Sequence, residues 1–561
     1  MKNCLKTNKY IILTIVLLCS LMFFFINQKH GFHEDEIFSY GSSNYKYDNV
    51  FRWFGYAEAG QDILYQQVLT GSIKDRIIKL KTFLLEPDKF TKDEVLAQEI
   101  PTWRTKDDAL EYLAIQKEDI FNYFSVYYNQ AKDVHPPLFY FLVHFVSTLF
   151  YGSFSKYIIF FINLAFFIGT LIVIKKIMDK LNHKEITIPT MILYGASMAA
   201  ISTVMFQRMY MMLTFFSILY LYYIIKYIKD DFTINDKIAL ILTIFMGFLT
   251  QYYFCIYVVL IFIVISIYLI FKKQYKKWFD FFKVHFIAAI LGIVFYPFSI
   301  EDIFFSYRGL GSTDGHTKTF LENLQYYGNQ IIKLFSLQNI ILILLGALIV
   351  VLIYKIWKRK LHKINQTEKL NLVVIILPII LFIVIVSKIA PFLGENYTSR
   401  YIMLLFPVIA IAIFYCLTFI FTKKTVFIIT LTISLLLSIH GLYNSTPVYL
   451  YKDYEQVMQL ANDNSDKYFV YVFDNYFTHL SQMPEFATYK ASLILNKNIH
   501  DFELLNNPEL NEANEFILCI KNWLNEDEIL NEVLEHSGYS DYEMLLRFDS
   551  DVESTYYLIK K

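Results

Sequence analysis

Apolar residues along this chain gather into repeated runs of about 17–22, the length at which a helix crosses the hydrocarbon core of a bilayer. Lysine-rich connectors separate many of them. Taken in order, the runs predict spans near Tyr10–Ile26 and near 157–174, 187–206, 209–227, 237–253, 255–271, 283–300, 338–354, 371–389, 401–421 and 425–442. That makes about eleven transmembrane helices. The stretch from Phe139 to Phe150, which follows His135-Pro136-Pro137, is as apolar as the others but only about a dozen residues long, and it predicts an interfacial or re-entrant helix. Beyond the last run the period changes. Tyr468–Phe473 and Phe516–Ile520 read as strands and about 525–536 as an amphipathic helix, which together predict a small α/β domain.

Charge placement orients these elements. Lys2, Lys6 and Lys9 precede the first run, and no small-x-small cleavage site follows it, so an uncleaved anchor with a cytoplasmic N-terminus is expected. If 139–150 does not cross, Lys175-Lys176, Lys226–Lys237, Lys272-Lys273 with Lys276-Lys277, Lys355–Lys363 and Lys423-Lys424 all fall inside, as the positive-inside rule requires. If it crosses, all of them move outside. The first arrangement predicts a polytopic α-helical membrane protein with a transmembrane domain over 1–442. Its loops 28–135 and 301–337, and a C-terminal α/β domain over 443–561, are extracytoplasmic.

Composition agrees and removes alternatives. Of 561 residues 56% are hydrophobic and only 18% charged, below the roughly 25% charged residues of a soluble chain. Lys+Arg and Asp+Glu both number 51, so no global basic field points to nucleic acid. Five scattered cysteines imply neither a disulfide framework nor a metal site.

The predicted spans contain almost no acidic residues, whereas ion-coupled transporters line their paths with intramembrane charge. The polar chemistry sits at the outer edge instead. Immediately after the first span comes Gly31-Phe32-His33-Glu34-Asp35-Glu36, three consecutive carboxylates beside a histidine and embedded in aromatics. Asp133-Val134-His135-Pro136-Pro137-Leu138 closes the same loop, its prolines fixing the entry to the short helix. Gln207-Arg208-Met209-Tyr210, Thr250-Gln251-Tyr252-Tyr253, Tyr307-Arg308-Gly309, His316-Thr317-Lys318 and Asn396-Tyr397-Thr398-Ser399-Arg400-Tyr401 mark further outer ends. Arginines at span ends commonly snorkel. Arg208 and Arg400 stand on the face opposite to the positive-inside bias, which suits a grip on an anion.

In these motifs the chain resembles the GT-C class of membrane glycosyltransferases, and within it glycosyltransferase family 39, the group of the protein O-mannosyltransferases and lipid A aminoarabinose transferases. The matching features are Asp35-Glu36 after the first span, His135-Pro136-Pro137-Leu138 before a juxtamembrane helix, Gln207-Arg208-Met209-Tyr210, and Ser399-Arg400-Tyr401 with Pro407. The resemblance covers about residues 5–440. It implies inverting transfer of a single sugar from a polyprenyl-phosphate donor to a glycan, lipid or protein acceptor of the cell envelope, at the outer membrane face. A surface-polysaccharide ligase or polymerase, and a lipid-linked sugar flippase, are the alternatives.

Phosphate is a good leaving group, so this chemistry asks for one base and for cations rather than the two carboxylates of a glycosidase. The resemblance assigns the base to Asp35, with Glu36 beside it. Arg208 and Arg400 suit bidentate contact with phosphate oxygens. His135, Arg308 and Lys318 are second-rank contacts, and Tyr210 and Tyr397 suit stacking on a sugar. A divalent metal at His33 and Asp35 is chemically compatible, but in an extended segment those two share one side and Glu34 and Glu36 the other.

Overall fold

The computed structural model describes residues 2–46, 72–85, 103–131, 133–229, 232–304, 317–337, 364–394, 397–473, 478–496, 501–549 and 553–561. It divides into two compact units: one comprises Met1–Asn27, Val134–Phe139 and Ile159–Val448, the other Gln28–Asp133, Tyr140–Ile158 and Tyr449–Lys561.

The first unit is helical. Among the described residues eight helices are long and apolar enough to span a membrane: Asn8–Asn27, Tyr157–Leu181, Tyr210–Ile228, Tyr253–Phe271, Tyr275–Phe295, Gln366–Ile389, Thr398–Thr418 and Lys423–Asn444. A ninth element is a pair, Lys184–Gly195 and Met198–Met205, bent by 57°. The bend has a local cause at Ser197. Its hydroxyl donates to the Tyr194 carbonyl at 2.6 Å and accepts the Ala200 N–H at 3.2 Å, so it ends one helix and caps the next. Apolar periodicity over 187–206 reads straight through a break made by one serine. The run at 237–253 forms a helix over Ile234–Phe248, 15 residues beginning at a Thr233 capping box, shorter than a spanning helix needs. The run at 338–354 lies outside the described residues. The first helix, α1, is Lys2–Asn27.

In the second unit α2 (Glu34–Asn44) carries the three consecutive acids in its first turn, where carboxylates offset the positive end of the helix dipole. The short apolar helix α3 covers Leu138–Thr148, 11 residues and so about 16 Å, roughly half of a hydrocarbon core. Among the described residues six strands form one sheet: β1 Trp103–Thr105, β2 Tyr468–Phe473, β3 Ala491–Asn496, β4 Glu515–Lys521, β5 Asp541–Phe548 and β6 Ser554–Lys560, in the order β1-β3-β2-β4-β6-β5. Strand β2 is parallel to both β3 and β4, and the remaining pairs are antiparallel. Strand β1 comes from the first long loop, so that loop and the C-terminal segment share a sheet.

Side chains alternate across a strand, and the two sheet faces differ accordingly. Tyr468, Val470, Val472, Phe516, Leu518, Ile520, Tyr557 and Ile559 pack with Ile529, Leu530 and Val533 of the helix Glu526–Ser537 into an apolar core. Tyr471, Cys519, Lys521 and Tyr556 point to the opposite face.

Candidate active site

In the membrane unit, Arg208 stands where the chain breaks between Met198–Met205 and Tyr210–Ile228. Asn163 fixes the break by donating to the carbonyls of Val204, at 3.1 Å, and Phe206, at 2.9 Å. The Arg208 side chain is 2% exposed. Its Nη2 lies 3.3 Å from His135 Nε2. A guanidinium only donates, so Nε2 is the acceptor in this contact. His135 is buried, and the segment that carries it is held where the Leu138 N–H donates to the Leu249 carbonyl at 3.0 Å.

Arg400 lies in a 3-10 stretch, Thr398–Leu405, and is 6% exposed. The stretch is set by Thr398, whose hydroxyl donates to the Gly394 carbonyl and accepts the Leu393 N–H, each at 2.8 Å. Gly394 takes φ of +95°, a backbone that a side chain would strain. The Arg400 guanidinium carbon sits 5.8 Å from the ring centroids of both Phe206 and Tyr401, within cation–π range. Phe206 stacks in turn on Tyr210 at 5.4 Å and 14°. Phe206 thus joins the two arginines, since its ring underlies Arg400 and its carbonyl accepts the Arg208 N–H at 2.8 Å. Tyr401 meets Tyr253 at 5.1 Å. Tyr327 is buried within electrostatic reach of Tyr210, Tyr401 and Arg400, and its hydroxyl has no hydrogen-bond partner among the described residues.

The second unit holds the acidic segment. His33 is the N-cap of α2: its Nδ1 accepts the Asp35 N–H at 3.1 Å, and its own N–H donates to Glu36 Oε2 at 2.7 Å. Nδ1 therefore carries no proton for Asp35. Its 3.5 Å approach to Asp35 Oδ2 is a neighbour contact, not an ion pair. Both Glu36 oxygens take the Lys29 ammonium, at 3.1 and 2.9 Å, and both side chains are fully buried. Burial pushes the Lys29 ammonium below the ordinary lysine value, and the Glu36 charge pulls it back. Asp35 keeps 24% of its side chain exposed.

The sequence-predicted residues thus separate. His135, Arg208, Tyr210 and Arg400 belong to one cluster, and Tyr397 adjoins it, its carbonyl accepting the Arg400 N–H at 3.2 Å. Asp35 and Glu36 belong to the other unit, in adjacent but unlike surroundings. Lys318 lies over the Phe392 ring at 3.8 Å. Arg308 lies outside the described residues. Tyr401 stands in the Ser399-Arg400-Tyr401 motif without a role of its own, and Phe206 and Tyr327 stand in no motif, because aromatics in a chain with 53 Phe and 44 Tyr carry no signal of their own. Lys29 had one: it is a lysine on the predicted outer side of the first span, the departure that marked the arginines. In the acidic segment the His33 Nδ1 lone pair takes the Asp35 N–H, and both Glu36 oxygens take the Lys29 ammonium. Among the described residues, no three His, Cys, Asp or Glu side chains are grouped to hold an ion.

No family model matches the chain, and no curated protein matches its sequence. Solved structures do. The crystal structure of ArnT from Cupriavidus metallidurans bound to undecaprenyl phosphate aligns over 98% of this chain and 98% of its own, with a TM-score of 0.52 at 9% identity. The same protein in the apo state aligns over 75% of this chain and 87% of its own, with a TM-score of 0.39 at 11% identity. The chain is a multi-pass membrane protein whose GT-C-like fold, with its C-terminal sheet region, is shared with ArnT along nearly the whole length.

Proposed function

We propose that the chain is an inverting glycosyltransferase that moves one sugar from a polyprenyl-phosphate donor to an acceptor hydroxyl at the outer membrane face. The observation that carries this reading is the likeness over 98% of both chains to a protein crystallised with undecaprenyl phosphate. The pair of buried arginines joined at Phe206 supports it. Roles follow from chemistry. Arg208 and Arg400 hold the donor phosphate, each guanidinium presenting a planar fork of donors. Tyr210, Tyr401 and Tyr327 supply aromatic faces and a hydroxyl around them, and His135 steadies Arg208.

Asp35 is the base. As the acceptor oxygen bonds to the anomeric carbon, its proton passes to the Asp35 carboxylate. The bond from that carbon to the phosphate oxygen breaks, and its electron pair stays on the phosphate, where the guanidinium charge stabilises it. Attack on the face opposite to the leaving phosphate inverts the anomeric centre. Asp35 suits this role better than Glu36, because it is in part open to solvent while Glu36 is sealed against Lys29.

The test uses full-length protein in sealed proteoliposomes, with a labelled polyprenyl-phosphate sugar and an envelope-lipid extract as acceptor source. Release of polyprenyl phosphate with label appearing in a new product is expected. Arg208→Gln and Arg400→Gln should each weaken donor binding by about ten- to a hundredfold, the scale of one charge-assisted hydrogen-bonded contact. Donor affinity unchanged in both would remove the phosphate role, and label translocated without transfer would make the protein a flippase.

A further inference from the structure

Helix α2 has only 11 residues, too few to be stable in isolation, so the position of Asp35 depends on what grips the start of that helix. The grip comes from residues 449–454. Lys29 Nζ, while holding both Glu36 oxygens, also donates to the Tyr449 carbonyl at 2.6 Å. The next N–H, that of His30, donates to the Leu450 carbonyl at 3.0 Å. The rings of Phe32 and Tyr451 flank the ammonium at 5.3 Å each.

The backbone that presents these carbonyls is unusual. Tyr449 and Tyr451 take φ of +70° and +48°, a region that bulky residues rarely enter and that persists only where surrounding structure enforces it. The fit is also tight. A Cβ on Gly31 would lie 2.8 Å from the Tyr451 Cβ and 2.8–2.9 Å from Tyr454 side-chain carbons, and the Tyr454 hydroxyl is itself anchored on Glu485 at 2.5 Å.

We infer that Lys29 is a positioning residue for the transfer reaction and that the 449–454 segment is the clasp that seats it, so that the start of the C-terminal segment sets the geometry of Asp35 within the same compact unit. This rests on the assignment of Asp35 as base. Lys29 reaches no reacting atom in the scheme; it acts through Glu36, whose carboxylate also takes the His33 N–H and so fixes the first turn of α2. Glu36 then serves through its bond to Lys29, and the acidic triplet divides its work: Asp35 for chemistry, Glu36 for placement.

Full-length Lys29→Met, Glu36→Gln, Gly31→Ala and the double variant Lys29→Met/Glu36→Gln test this, together with Asp35→Asn. Turnover per folded molecule, donor KM and amide hydrogen exchange over residues 33–37 are measured. In Lys29→Met the expected result is exchange at least tenfold faster over 33–37, kcat lower by about ten- to a hundredfold, and donor KM within about threefold. The scale follows the sensitivity of proton transfer to misplacement. Gly31→Ala, which alters no charge, should move the same readouts in the same direction. The double variant, which leaves no lone buried charge, should regain part of the lost kcat. Unchanged exchange in both Lys29→Met and Gly31→Ala would overturn the clasp whatever the activity. Faster exchange with wild-type kcat, alongside a dead Asp35→Asn, would overturn the positioning role. Faster exchange with an active Asp35→Asn would refute the base assignment instead, leaving the clasp standing.

Discussion

Glu36 and Glu485 are both sealed from solvent, and they are held in opposite ways. Glu36, at the start of α2, binds the Lys29 ammonium through both oxygens and takes the His33 N–H as well, so its charge is matched within hydrogen-bond distance. Glu485 lies against the polar face of the sheet. The Tyr454 and Tyr556 hydroxyls both donate to its Oε1, at 2.5 and 3.3 Å, while Oε2 has no hydrogen-bond partner among the described residues. The Gln482 amide, oriented so that its nitrogen faces Oε1 and its oxygen faces Lys521, is a further neutral donor, and Tyr489, Cys519 and the buried Lys521 also lie around the carboxyl. Burial outweighs the help of Tyr454, Lys521 and Tyr556, and the Glu485 carboxyl is pushed up to about 7. A cation in direct contact makes a buried carboxylate a brace. Neutral hydroxyls leave it a group that titrates near physiological pH.

The largest effect that separates chemistry from bracing is on turnover. Asp35→Asn should lose about 10²–10⁴ in rate, as removal of a positioned base does, with its melting temperature near that of the wild type because the residue is in part open. Glu36→Gln should show the reverse emphasis, leaving the Lys29 ammonium buried beside an amide and costing about 3–5 kcal/mol of stability. Rate assays and detergent melts on the two variants decide it. A stable but inactive Glu36→Gln beside an active Asp35→Asn would exchange their roles.

That distinction was not legible in the sequence. Asp35 and Glu36 are neighbours in one charge run, and the partner that tells them apart, Lys29, is seated by a carbonyl at Tyr449, 420 positions further on. The elements were easier. Spans such as Tyr10–Ile26 and 425–442 follow from length and hydropathy alone, and the strands at 468–473 and 516–520 and the helix near 525–536 follow from local period. Strand β1 did not, because three residues at Trp103–Thr105 pair with β3 nearly 390 positions away and so short a segment has no period to read. The bend at Ser197 turned on one hydroxyl. Arg208 and Arg400 stood out because the charge pattern predicts them on the side opposite to most of the lysines, whereas the phenylalanine that joins them is one of many.

The contrast is sharpened by pH. Glu485 has an ordinary value of 4.5 when exposed and about 7 when buried, so the folded state holds the proton more tightly than the unfolded one. Its contribution is therefore fully present below about pH 4.5 and is lost as pH rises through 7, a fall of roughly 3 kcal/mol at about 1.4 kcal/mol per pH decade. Glu485→Gln, which mimics the protonated form, should remove this slope and melt higher than the wild type at pH 8. An unchanged slope in that variant would assign the pH response to another group.

The smallest predicted effect comes from the weaker of the two hydroxyls on Glu485. Tyr556→Phe removes one neutral donor at 3.3 Å without changing net charge, and the ring it leaves retains most of the buried area. A bond of this kind is worth about 1 kcal/mol, but only where the acceptor needs it. Above pH 7 Glu485 is ionised and the lost donor leaves the carboxylate with the Tyr454 hydroxyl, the Gln482 amide and the Lys521 charge, so the loss should approach the full value. At pH 5 the carboxyl holds its own proton, and the same substitution should cost less. The variant should therefore push the Glu485 carboxyl further up and steepen the decline of stability with pH, the opposite of Glu485→Gln. Melts at pH 5 and pH 8 measure the difference directly. An equal loss at both would mean that Tyr556 serves packing alone and that Tyr454 and Gln482 carry the hydrogen-bonded support of Glu485.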